Sequence, residues 1–113
     1  MKITKDNVEH FKWGDGCNGW WLLRSSGFHV IEESMPAGTF EKRHKHTSSD
    51  QFFYCLKGEL VIELEGMDHH LKPQQAVFIE AGKTHKVKNG SNETANFLLI
   101  SSPNSSIDRI NLE

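Results

Sequence analysis

No stretch of this sequence approaches the roughly 18 apolar residues of a transmembrane helix. The opening residues, MKITKDNVEHFKWGDG, hold no apolar core of a secretory signal. A soluble, cytoplasmic protein is therefore expected. On that expectation the sequons at Asn89, Asn92 and Asn104 carry no sugar. Cysteine is scarce: Cys17 and Cys55 form neither a CxxC pair nor a disulfide framework, so two free thiols in a reducing compartment are expected. Neither sign of charge dominates, with 13 basic against 15 acidic side chains. That balance excludes the basic footprint of a nucleic-acid binder. There is no basic amphipathic helix for a membrane surface. Repeats, low-complexity tracts and linkers are also missing. A chain of 113 residues then reads as one domain, 1–113, with one core.

Sustained helical periodicity is missing too. What is there instead is a series of short strand-like runs, at 20–23, 28–35, 52–56, 60–64, 76–79 and 97–100, separated by Gly, Pro, Asn and Ser. Glu65-Gly66-Met67-Asp68 reads as a hairpin turn, and the first ten residues could carry a helical turn. Many short strands with frequent turns indicate an all-β sandwich or barrel.

Alternation in the run after residue 50 is informative. If Gln51 points inward, so do Phe53 and Cys55, while Phe52, Tyr54 and Leu56 point outward. An outward aromatic face needs a cover, so a two-fold homodimer is expected.

Seven histidines are many for this length. His44 and His46 stand two apart, which on a strand puts both rings on one face, where they can converge on one metal ion. Two solvent-facing histidines on a surface strand would give the same pattern.

The surrounding residues sharpen the choice. Residues 38–58 resemble the first motif of the cupin superfamily, G-x5-H-x-H-x3or4-E-x6-G. Gly38, His44, His46 and Gly58 match it, and Gln51 stands at the usual Glu. Residues 74–89 resemble the second motif, G-x5-P-x-G-x2-H-x3-N. Gly82, His85 and Asn89 match, with Gln74 at the usual Gly and Glu80 at the usual Pro. The resemblance implies a single-domain, all-β cupin fold, a double-stranded β-helix or jelly-roll barrel. It also implies one divalent transition ion (Fe, Mn, Ni or Zn) held inside by His44, His46, His85 and the residue at the Glu position.

The six-residue gap to Gly58 selects Gln51 over Asp50 for that position, and alternation turns Asp50 away. Gln51 either binds the ion or faces it without binding. A neutral fourth ligand leaves both positive charges on the ion, and it cannot act as a base. Phe40, Phe53, Cys55 and Phe78 are candidate pocket residues, although each could equally be plain core. His69 and His70 read as exposed loop residues, and His10 and His29 have no partner pattern. Trp20 and Trp21 could line a ligand mouth or pack the core. The expected function is a metal-dependent enzyme of dioxygenase or isomerase type. Its substrate would be a small polar molecule such as a diketone, enol or sugar derivative. The alternatives are a non-catalytic binding module and a barrel that the metal only braces. No base is legible.

Overall fold

Inward and outward side chains alternate along most of the chain, and the backbone follows them into antiparallel strands. The computed structural model describes residues 1–103, 105 and 108–113. Among these, eleven strands occur in chain order: β1 His10–Trp13, β2 Cys17–Arg24, β3 His29–Met35, β4 His44–His46, β5 Asp50–Lys57, β6 Leu60–Leu64, β7 Met67–Leu71, β8 Ala76–Ile79, β9 His85–Lys88, β10 Ala95–Ser102 and β11 Arg109–Asn111. They form a six-stranded sheet, β1-β2-β3-β10-β5-β8, and a five-stranded sheet, β11-β4-β9-β6-β7. The result is a compact all-β, jelly-roll-like domain. No helix of the described residues is long and apolar enough to cross a membrane.

The core lies between the sheets. Phe53, Cys55, Phe97 and Ala95 come from one, and Leu60, Ile62, Leu71 and Val87 from the other. On β5 the predicted alternation holds: Gln51, Phe53 and Cys55 are buried, while Phe52 and Leu56 are exposed. The first ten residues make no helical turn; the Asn7 N–H reaches the Thr4 carbonyl at 3.2 Å, and β1 starts at His10.

Several turn residues have a physical reason. Glu65 and Gly66 both take positive φ, 50° and 82°, as the two-residue turn of the β6–β7 hairpin needs. Gly58 has φ 74°, and a Cβ there would stand 2.6 Å from the Thr94 carbonyl oxygen, so no side chain fits. Gln74, where the motif usually has Gly, sits at φ 69°, which explains the usual residue. Asn89 is buried, and its amide donates to the carbonyls of Met35, Pro36 and Glu93. That sequon is a structural clamp, whereas the Asn104 sequon lies outside the described residues.

Candidate metal centre

Strand β4 is only three residues long, and it presents His44 and His46 inward while Lys45 turns away. His85 opens β9 and stands directly across from His44. All three are buried, at 5% exposure or less. Their candidate ligand atoms lie within 4.8 Å of one another. Cys17 and Cys55 are free thiols and take no part in this cluster.

Each ring is held by its Nδ1. That of His44 donates to the Lys42 carbonyl at 2.9 Å, and that of His85 to the Lys83 carbonyl at 3.0 Å. His46 donates to Asp108 Oδ1 at 2.8 Å, while Ser48 and Ser49 N–H groups hold the other Asp108 oxygen. This leaves three Nε2 lone pairs facing inward. A carboxylate behind a histidine is also the partner that raises a ligand's basicity.

Gln51 stands beside these rings. Its Nε2 donates to Ser101 Oγ at 3.0 Å, and its Oε1 faces His85 Nε2 at 3.0 Å. A neutral His85 with its proton on Nδ1 has a lone pair at Nε2. Two acceptors so close repel unless a cation lies between them or the amide turns over. A divalent ion bound here would accept both lone pairs and remove that repulsion. Three imidazoles and an amide oxygen suit a first-row divalent ion. Asp50 is exposed and accepts the Ala81 N–H at 2.8 Å.

Burial favours the neutral imidazoles. It lowers His44 to about 3, helped by His85, and it lowers His85 to about 4. It also lowers His46, against the pull of Asp108. Two carboxyls near the same cavity go the other way. Burial and then Glu41 push Glu33 up to about 8, and burial pushes Glu41 up to about 7 although Arg109 opposes it.

These shifts predict the pH dependence of the metal-free fold. Histidines lowered on folding lose stability as pH falls below about 6.5, because only the unfolded chain then takes up protons. Carboxyls raised on folding lose stability as pH rises above about 4.5, because the unfolded chain ionises first. Between those values the two trends offset one another. Below about 4.5 the histidine loss is joined by that of Asp108, Glu63 and Glu113, whose carboxyls are lowered on folding; above about 6.5, up to the value of about 8 for Glu33, the loss from the raised carboxyls stands alone. Urea midpoints in chelator should therefore form a plateau across mildly acidic pH and fall on both sides. A monotonic curve would contradict this assignment.

His44, His46 and Gln51 open onto a cavity of about 290 Å³ whose wall includes Phe11, Trp21, His29, Glu33, Phe53 and Arg109. A hollow of about 450 Å³ elsewhere, beside Leu60, His70 and Gln75, is larger but gathers no cluster of ligating groups. Among the four pocket residues expected from sequence, Phe53 alone lines the histidine cavity. Phe40 is 61% exposed under the Lys86 ammonium, 5.1 Å from its ring centroid. Phe78 is 54% exposed because its neighbour Ile79 takes the inward position on β8. Cys55 points inward but lies four residues beyond Gln51, about 13 Å along the strand. Its Sγ donates to the Gly58 carbonyl at 3.6 Å.

His69 and His70 lie on strand β7 rather than in a loop, half-buried and exposed respectively. Trp21 joins the cavity wall, while Trp20 carries the Lys5 ammonium 4.4 Å from its ring centroid. The sequence motifs assign no role to Glu33, Glu41, Asp108 or Arg109, and His29, which has no partner pattern in the sequence, lines the cavity. For His29 and Glu33 the signal was present: both share the side of β3 taken by Ile31.

Known proteins agree with this architecture. The cupin-domain family pattern matches residues 31–101, and the chain belongs to that family. It is 30% identical over 105 residues to an oxalate-binding protein of Thermotoga maritima, covering 88% of this chain and 87% of that one. It is 32% identical over 79 residues to the tetracenomycin polyketide synthase protein TcmJ of Streptomyces glaucescens. That match covers 70% of this chain and 52% of TcmJ, so the chain spans about half the length of that relative. The structure of the polyketide cyclase RemF from Streptomyces resistomycificus superposes with a TM-score of 0.85 at 18% identity. It covers all of this chain (100%) and 85% of RemF, a likeness of fold alone.

Proposed function

We propose that this cupin is a metal-dependent enzyme of isomerase or dioxygenase type. It acts on a small polar molecule, a diketone, enol or sugar derivative, seated in the cavity. One divalent transition ion (Fe, Mn, Ni or Zn) is held by His44, His46, His85 and Gln51. The observation that carries this reading is the convergence of three Nε2 atoms and the Gln51 oxygen, each ring fixed from behind. Held there, such an ion would supply a Lewis acid to a carbonyl or hydroxyl oxygen of the ligand. Arg109 on the cavity wall adds a further positive charge that draws in an anionic ligand. Trp21, Phe11, Phe53 and Leu99 supply apolar walls that keep water from the bound molecule.

Gln51 is the least usual member. Gln51→Glu should tighten divalent-ion binding by adding a carboxylate, and Gln51→Ala should weaken it. Affinities equal to wild type in both variants would overturn its place as a ligand. Turnover is tested by incubating metal-loaded protein with a panel of diketones, enols and sugars, following conversion by NMR and oxygen uptake by electrode. Conversion supports the enzyme. Saturable binding without conversion supports a non-catalytic binding module, the reading favoured by the relative named as an oxalate-binding protein.

The proposal extends to a cytoplasmic homodimer. Phe52 and Phe78 pair across β5 and β8 and are 37% and 54% exposed, with Tyr54 and Leu56 beside them on the same outer face. Sedimentation should show a dimer at micromolar concentration, and a clean monomer there would count against it.

A further inference from the structure

The inward side of β3 is made by His29, Ile31, Glu33 and Met35, and only Glu33 among them is acidic. A carboxyl facing the interior is costly unless something there uses it. Its cross-strand neighbours are Gly19 and Phe97, which offer it no polar side-chain group. The space a side chain at Gly19 would take is filled by the Phe11 ring, which lies over that glycine. Glu41, by contrast, is anchored: it accepts the Val87 N–H at 3.0 Å and stands 3.8 Å from an Arg109 nitrogen. Among the described residues no hydrogen bond or ion pair holds Glu33, whose charged neighbours are Glu41 and Arg109. His29, His44 and His46 are the other titratable groups on the wall of this cavity. Glu33 thus faces a cavity that also exposes His44, His46 and Gln51, with its oxygens uncommitted.

We propose that Glu33 is the general base of this site, and that the substrate is a small enolisable carbonyl compound. The inference rests on the metal-centre reading above. In the step it implies, the C–H bond beside the carbonyl breaks. Its electron pair becomes the C=C bond of the enolate, and the proton joins a Glu33 oxygen. Where the carbon that loses the proton also carries a hydroxyl, the enolate is an enediolate. The proton then returns to the former carbonyl carbon, the hydroxyl proton passes to the former carbonyl oxygen, and the hydroxyl carbon becomes the new carbonyl. This is an isomerisation that consumes no oxidant or second substrate. This favours the isomerase branch over the oxygenase one. Burial and Glu41 push the Glu33 carboxyl up to about 8, where it can both take and return a proton near neutral pH. A dication on the histidines acts on it in the opposite direction, toward the ionised form. An ionised Glu33 before binding and a protonated one afterwards is the sequence a base requires.

The test counts protons. Acetohydroxamic acid is a small neutral chelator that gives up one proton when it binds a metal. Its binding to the zinc-loaded protein is followed by calorimetry at neutral pH in buffers of different ionisation enthalpy. Wild type should release close to no net proton, because Glu33 receives it. Glu33→Gln should release close to one, and its affinity alone should rise about tenfold per pH unit. Glu33→Asp, which keeps the carboxyl, should behave as wild type and guards against a folding defect in the glutamine variant. Equal proton counts in wild type and Glu33→Gln would overturn the assignment while leaving the metal centre standing. Failure of the wild type to take up zinc on His44, His46 and His85 would overturn the metal-centre reading, and the Glu33 assignment with it.

Discussion

Replacing His85 by alanine is expected to abolish stoichiometric binding of a divalent transition ion. His85 links the two sheets at this site. Its ring centroid lies 4.3 Å from that of His44, and its Nε2 faces Gln51 across the interior. Loss of a single outer hydrogen-bond partner typically costs a metal site about 10–100-fold in affinity. Loss of one of three imidazoles should exceed that, leaving ion binding too weak to survive gel filtration. Metal content of the variant, measured after exchange into metal-free buffer, checks this directly. Retention of one ion per chain would contradict the assignment. The fold should tolerate the change in chelator, because burial has already pushed the ring to the neutral form, down to about 4, and no ion pair is broken.

The histidine pattern was legible because a spacing of two has one consequence on a strand: both rings share a face. The same period placed Gln51 and Phe53 inward and Phe52 and Leu56 outward. Strand β9 was harder to see. Its sequence, HKVK, buries His85 and Val87 but alternates them with lysines, so it reads as polar. Phe78 was misplaced because its run, AVFI, is apolar at every position and alternation cannot choose a side; Ile79 occupies the interior. Asp108 and Arg109 were out of reach for a different reason. They come from a segment 62 residues beyond His46, and only the pairing of β11 with β4 brings Arg109 opposite it. Glu33 was visible by parity beside Ile31, yet a glutamate in a strand reads as solvent-facing until the sheet over it is known.

The second large effect concerns the scaffold. Phe97→Ala should destabilise the protein by about 3–5 kcal/mol, as truncating a buried Phe usually does. Phe97 is fully buried on β10, the strand between β3 and β5 in its sheet. Its ring centroid lies 5.8 Å from that of Phe53, which in turn stands 6.0 Å from His85, edge to face. The cavity left by the truncation therefore opens beside the residue that backs His85. A loss of that size is a large fraction of the roughly 5–15 kcal/mol that holds a domain folded. Urea denaturation in chelator measures it. A loss below about 1 kcal/mol would mean that the two sheets do not depend on this contact. Ion binding should partly restore the variant's stability, since a ligand that binds only the folded state stabilises it.

Anomalous diffraction from crystals soaked in manganese or zinc, collected on both sides of the metal's absorption edge, tests the central claim most directly. The account predicts one strong peak per chain, within bonding distance of the Nε2 atoms of His44, His46 and His85 and of Gln51 Oε1. A peak only at His69 and His70 on β7, or none between the three buried histidines, would contradict it.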